Sequence, residues 1–197
     1  MLILIPFNLI GYNMIFISAG HHPAKPGATF DRFIEHDEAC VWVDMMTNAI
    51  NNSGGEDSLA VKATAVPVGF LKTKVDFINS RMIHGDIALE VHFNAAVVNG
   101  KNVGRGSETL YYPGSEAGKA LATVCQEALA AFFPPSRGVK EGWYRMDKTR
   151  GADFFLAQTK CPAIIIEPEF VHHFQMIFDN RKDTIELLVV ALEEYVE

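Results

Sequence analysis

The segment MIFISAGHH, residues 14–22, indicates the class of fold that this sequence adopts. Its first five residues form an apolar run, which is typical of a strand in the interior of a sheet. Ala19 and Gly20 end the run, and a loop rich in proline and glycine follows to about Phe30. We therefore expect a buried first strand that delivers a histidine pair to its carboxyl end.

Strands and helices alternate along the rest of the chain. Further strands are predicted over residues 61–66, 87–93, 107–112 and 163–166, and helices over residues 35–50, 71–83, 116–132 and 182–196. This order predicts an α/β fold with a mostly parallel central sheet and helices on both faces. A length of 197 residues suits a single domain with one substantial core.

Composition argues against several classes of protein. Hydrophobic residues make up 49% and charged residues 21%, as in ordinary globular domains. A formal charge of −7 without a basic stripe argues against nucleic acid as a partner, because phosphate binding needs clustered Lys and Arg. Three widely spaced cysteines without a CxxC pair predict buried free thiols, not a disulfide framework or a Cys-based zinc site.

Residues 1–13 are interpreted as an apolar extension, separate from a catalytic domain over residues 14–197. The first ten residues lack the basic flank of a signal peptide, and Pro6 interrupts them. They are also too short to cross a bilayer as a helix. We therefore expect synthesis in the cytoplasm without a signal peptide, and no membrane span. We also expect the protein to be a monomer.

Residues suited to metal chemistry follow three of the predicted strands. The pair His21-His22 follows the first strand, His92 lies at the end of the third, and Glu167 follows the last. Glu35 and Glu38 lie at the start of the first helix. Since the carboxyl ends of parallel strands share one edge of a sheet, we expect these groups to converge. Two imidazoles and one carboxylate are a common catalytic zinc set, and a separate carboxylate can take a proton from water.

Several motifs also occur in a familiar order. They are Gly20-His21, Pro26-Gly27-Ala28, an Arg for which Arg81 is the match, Val91-His92-Phe93-Asn94-Ala95, Gly106-Ser107-Glu108-Thr109-Leu110-Tyr111-Tyr112, and Pro162-Ala163-Ile164-Ile165-Ile166-Glu167 with Phe170. In these motifs the chain resembles the zinc-dependent amidase-3 type of N-acetylmuramoyl-L-alanine amidases, from about Ile15 to the C-terminus. It departs from the family pattern at His22-Pro23 and at Glu169, where the family has glycine; we expect Glu169 at the rim of the site or in a salt bridge.

The resemblance implies that His21 and His92 bind zinc, with His22 as a rival for His21. The third ligand is Glu35 or Glu38, which lie one helical turn apart. We favour Glu35 because its spacing from His21 matches the family and because it shares a face with the apolar residues of the helix. Glu38 remains the alternative, either as the ligand or as an acceptor for a ligand histidine.

Glu167 is the predicted catalytic residue. Four apolar residues precede it, so we expect it to emerge from the sheet into a partly desolvated place that raises its pKa. The alternative is a structural acid paired with a cation such as Arg181. Asn94, Trp143 and Arg145 are expected to bind substrate, the last two from a long segment that is well suited to stacking on sugars and pairing with carboxylates. The alternative for this segment is a covering loop whose aromatic side chains only pack on the domain.

The resemblance implies zinc-dependent hydrolysis of the amide bond between N-acetylmuramic acid and L-alanine in peptidoglycan. A metal-activated water would attack, with Glu167 as general base and then general acid. One alternative is a metallopeptidase that acts on the peptide stem, and another is a non-catalytic cell-wall-binding module. A chain of this kind resembles a phage or prophage lysis enzyme that acts on the cell wall; the alternative is a wall-remodelling enzyme exported by another route.

Overall fold

The central sheet contains six strands among the residues that the structure describes. The computed structural model describes residues 13–53, 61–144 and 147–196, so the proposed extension lies almost wholly outside the described residues. The sheet strands are β1 (Asn13–Ala19), β4 (Val61–Ala65), β5 (Ile87–Val91), β8 (Glu108–Tyr111), β9 (Val139–Glu141) and β10 (Ala163–Glu167). These six strands lie in the order β4-β1-β5-β10-β8-β9. Within this sheet only the β8–β10 pairing is antiparallel, which confirms the predicted mostly parallel sheet.

In the described part of the chain, five helices pack on this sheet: α1 (Glu35–Ser53), α2 (Leu71–Asn79), α3 (Glu116–Phe132), α4 (Phe154–Gln158) and α5 (Phe174–Val196). Side chains alternate between the two faces of each strand. In β1, Ile15 and Ile17 therefore join a large core under α1, α3 and α5, whereas Phe16 joins a smaller core under α2 and α4. Helices thus cover both faces, as the sequence predicts.

The structure differs from the predicted elements mainly at their ends. Helix α2 ends at Asn79 rather than at residue 83. Helix α5 begins at Phe174, eight residues before the predicted start, because Ile177 is fully buried and Phe178 packs against the large core. Two short hairpins were not predicted, one of β2 (Thr29–Phe30) and β3 (Phe33–Ile34) and the other of β6 (Val97–Val98) and β7 (Lys101–Asn102).

The described residues between positions 134 and 152 form pairings that the sequence does not predict. Strand β9 pairs with β8, and an isolated bridge joins Trp143 to Ala152. Cys125 and Cys161 are buried free thiols, as expected, whereas Cys40 is also a free thiol but is only half-buried. Within the described ranges, no helix has the length and apolar character needed to cross a bilayer.

Candidate metal centre and catalytic site

The first two candidate ligands meet because β1 and β5 are neighbouring parallel strands. Ala19 pairs with Val91 in register, and the next backbone hydrogen bond runs from Gly20 N to Val91 O at 2.7 Å. His21 and His92 therefore leave the sheet side by side, with ring centroids 4.8 Å apart. His21 has a φ of 60°, a left-handed conformation that is unusual for a residue with a side chain.

Glu35 joins the two histidines from the first position of α1. Its Oε1 lies 3.0 Å from Nε2 of His21 and 3.1 Å from Nδ1 of His92. The backbone N–H of Phe93 donates to Oε1 at 3.1 Å, and that of Ala28 donates to Oε2 at 2.8 Å. Burial raises the pKa of Glu35, but the hydrogen bonds and charges of the two histidines outweigh it and lower the pKa to about 2. The carboxyl group is therefore ionised at neutral pH.

Two glycines make room for this convergence. A Cβ on Gly20 would lie 2.6 Å from the His92 ring, and one on Gly27 would overlap both Glu35 Oε2 and the His21 ring. One donor atom from each of His21, Glu35 and His92 lies within 4.8 Å of the others. Two imidazole nitrogens and a carboxylate oxygen are donors that zinc accepts, so the residues present fit this metal.

Glu38, the alternative third ligand, points elsewhere. Nη1 of Arg181 lies 2.9 Å and 3.0 Å from its two carboxylate oxygens, and Trp42 Nε1 donates to Oε1 at 3.0 Å. Burial raises the pKa of Glu38, although Arg181 opposes the shift. Arg181 therefore pairs with Glu38 and not with Glu167, the partner considered from sequence.

The other histidines lie outside the three-residue group. His22 packs against the ring of Phe70, with centroids 4.8 Å apart. His36 is buried, with Nδ1 2.8 Å from the carbonyl oxygen of Gly20. His172 and His173 stack on each other at 4.2 Å. His22 thus does not replace His21 in this arrangement.

Glu167 ends β10, next to β5 and close to the candidate ligands. Burial raises its pKa to about 7; the charge of His92 opposes the shift, whereas Glu108 and Glu35 add to it. Glu108 is its direct cross-strand neighbour on β8. The raised pKa agrees with the expectation of a partly desolvated carboxyl, and it is suited to proton transfer near neutrality.

Glu108, which lies opposite Glu167 on β8, contacts three side chains at this edge of the sheet. It is buried, its Oε1 accepts from Asn94 Nδ2 at 2.9 Å, and Nη1 of Arg137 also lies 2.9 Å from Oε1. Lys140 contacts Oε2. Asn94, which was predicted to contact substrate, thus already has a side-chain partner at this edge.

The remaining predicted site residues differ in position. Trp143 is half-buried, donates from Nε1 to Glu141 at 3.1 Å, and has Lys148 Nζ 5.7 Å from its ring centroid. Arg145 lies outside the described residues. Glu169 does not lie at the rim, and it forms no salt bridge with any residue that the structure describes. It is fully buried, its Oε1 accepts from the backbone N–H groups of Gly106 and Phe170 at 2.8 Å, and its Oε2 has no partner among the described residues.

A buried ion pair next to His92 was not predicted from the sequence. Lys74 of α2 and Glu90 of β5 lie 3.2 Å apart, and Glu90 Oε2 lies 3.2 Å from Nε2 of His92. Burial raises the pKa of Glu90, but His92 and Lys74 outweigh it and keep the pKa low. The signal was present, because Glu90 is the only charged residue in the apolar run IALEV. Arg81, the Arg predicted to match the family motif, instead stacks on the ring of Phe77, 3.8 Å from its centroid.

Fold and site together define a single-domain α/β protein with a candidate metal centre at the carboxyl ends of its parallel strands. The chain belongs to the Amidase_3 family of N-acetylmuramoyl-L-alanine amidases, whose family model matches residues 15–176. A comparison with curated proteins gave no match.

Solved structures of amidases share the fold. An N-acetylmuramoyl-L-alanine amidase from Clostridium difficile 630 superposes with a TM-score of 0.73 at 20% identity, covering 93% of this chain and 96% of that one. The catalytic domain of an endolysin that targets Clostridium difficile gives 0.69 at 24% identity, covering 91% and 96%. The catalytic domain of an amidase from Bacillus (Paenibacillus) polymyxa gives 0.75 at 16% identity, covering 93% and 97%.

Proposed function

We propose that this protein is a zinc-dependent hydrolase that cleaves the amide bond between N-acetylmuramic acid and L-alanine in peptidoglycan. One observation carries the proposal: donor atoms of His21, Glu35 and His92 converge within 4.8 Å of one another. Membership of the amidase family supports the choice of bond. The protein would accordingly act on the cell wall.

Zinc held by His21, Glu35 and His92 would lower the pKa of water and polarise the scissile carbonyl. Glu35 suits this role because it is ionised and because two backbone N–H groups fix its carboxylate. The left-handed His21 and the glycines at positions 20 and 27 let the three side chains meet without displacing one another.

Glu167 would transfer the proton. It accepts a proton from the attacking water and then donates it to the departing amino group of L-alanine. A pKa of about 7 lets the same carboxyl accept and donate near neutral pH. Glu108 supports this role, because Arg137 and Lys140 hold it in place directly across the β8–β10 pair from Glu167.

Substrate contacts are proposed for Asn94, Trp143 and Arg145. Asn94 borders the site through its bond to Glu108. The partly exposed ring of Trp143, with Lys148 beside it, is suited to a sugar ring and an acidic peptide group.

Metal analysis combined with mass spectrometry of digested peptidoglycan tests the proposal. Protein stripped with a chelator and reloaded with one equivalent of zinc is incubated with purified peptidoglycan, with the stripped protein as control. We expect activity only in the zinc-loaded sample, with new amino termini on L-alanine and intact muramic acid. Cleavage within the peptide stem would instead indicate a metallopeptidase, and wall binding without any release of amines would indicate a binding module.

A further inference from the structure

The buried pair of Lys74 and Glu90 has a position that stability alone does not explain. Their side chains are only 2% and 3% exposed. Desolvation of two charges offsets most of their attraction, so a buried ion pair is weak evidence of a stabilising role. Its contacts with neighbouring groups are more informative.

Lys74 is bonded to the segment that carries His21. Its Nζ donates to the carbonyl oxygen of His21 at 2.9 Å and also to that of Ala19. These two carbonyls flank Gly20 at the end of β1, and His21 is the residue with the left-handed backbone. A non-glycine residue persists in that conformation only where its surroundings hold it.

Glu90 is bonded to the second histidine. Its Oε2 lies 3.2 Å from Nε2 of His92, while Nδ1 of the same ring faces Glu35. Its Oε1 lies 3.2 Å from Lys74 Nζ and 3.3 Å from the Ser18 hydroxyl, which donates to it. One imidazole nitrogen thus faces the candidate metal position, and the other faces a fixed carboxylate.

We propose that Lys74 and Glu90 are positioning residues for the metal centre: Glu90 fixes the ring of His92 so that Nδ1 faces the metal, and Lys74 fixes both Glu90 and the backbone of His21. The single ammonium group of Lys74 thereby links the two candidate ligand histidines. This inference rests on the proposed zinc site. Carboxylates that hold the second nitrogen of a ligand histidine set its tautomer and orientation and commonly strengthen metal binding.

The test compares the zinc dissociation constants of purified variants by competition with a chromophoric chelator. The main variant is Lys74→Met/Glu90→Met, which leaves no unpaired buried charge and is therefore expected to fold. The second is Glu90→Gln, which keeps a hydrogen-bond acceptor but removes the charge. The matched control is Lys72→Met, which removes a lysine from the same helix whose partner, Asp76, lies on the surface.

We expect the double variant to bind zinc about 10–100-fold more weakly than the parent, with a smaller loss for Glu90→Gln. The visible absorption of the cobalt-substituted double variant should also change, since ligand geometry sets that spectrum. Lys72→Met should match the parent in both measurements.

Equal zinc affinity and an unchanged cobalt spectrum in the double variant would overturn the inference. Failure of the double variant to fold would also overturn it, because the pair would then be a stability element. Failure of the proposed function gives a different result, in which the parent itself binds no zinc or releases no L-alanine amino termini.

Discussion

Arg181 Nη1 lies 2.9 Å and 3.0 Å from the two carboxylate oxygens of Glu38, and this contact separates the two candidate ligands of helix α1. It joins α1 to α5. Glu35, one turn earlier, faces β1 and β5 instead. The docking of α5 thus gives Glu38 a structural partner and leaves Glu35 for the site.

Matched substitutions of the two acids test this division. Glu35→Gln should lose zinc, because the ligand loses its charge. Glu38→Gln should keep one zinc per chain but unfold more easily, by about 1–3 kcal/mol, because Arg181 is left without its carboxylate. Metal analysis and chemical denaturation measure the two effects. Loss of zinc from Glu38→Gln, with zinc retained by Glu35→Gln, would reverse the assignment.

Glu167→Gln should keep its zinc and its fold while activity on peptidoglycan falls by about a hundredfold or more. The amide has the shape of the carboxyl but cannot accept the proton. Release of amino groups from purified peptidoglycan gives the rate, and metal analysis gives the zinc content. Glu186→Gln, a change at an exposed acid of α5, is the control and should have the activity of the parent. Full turnover by Glu167→Gln would remove Glu167 from the mechanism.

The raised pKa of Glu167 predicts a pH-dependent stability difference in the metal-free protein. Between its ordinary pKa of 4.5 and its folded pKa of about 7, the folded state holds more protons than the unfolded state. The free energy of unfolding therefore falls as pH rises through this window. Glu167→Gln does not titrate and should escape that loss, so its advantage over the parent should grow to about 2–3 kcal/mol above pH ~7. Urea denaturation from pH ~4 to ~8 measures this, and a constant difference would contradict the shift.

Gly27→Ala should abolish zinc binding, because the new Cβ would overlap Glu35 Oε2 and the His21 ring. Gly114→Ala is a matched control: the φ of +82° at Gly114 is close to the +81° of Gly27, but a Cβ added at Gly114 would meet no atom of the described residues within 4 Å, apart from its own chain neighbours. Both variants should lose about 1–3 kcal/mol of stability from backbone strain. Only Gly27→Ala should lose the metal in a chelator competition. Equal zinc affinity in the two variants would show that the glycine does not make room for the ligands.

Much of the site could be predicted from the chain because it depends on local pattern. Apolar runs that end at His21, His92 and Glu167 identify buried strands and the residues at their carboxyl ends. In a parallel sheet those ends share one edge, so the three groups are brought together by topology alone. Their convergence required only the order and type of the elements.

Contacts between elements that are distant in sequence could not be predicted from such local patterns. The buried carboxylate of Glu169 accepts a hydrogen bond from the backbone of Gly106, and the partner of Glu90 is Lys74 on helix α2. In both cases the deciding groups are far apart in sequence and meet only after packing.

By itself, therefore, the sequence determined an α/β sheet, the edge where its chemistry lies, and three of the groups found there. Only the tertiary structure decided which carboxylate of α1 faces the histidines and which buried ion pair contacts them. The physical reason is that strand periodicity is local, whereas the rotation of a helix and the pairing of a buried charge depend on neighbours such as Arg181 and Lys74.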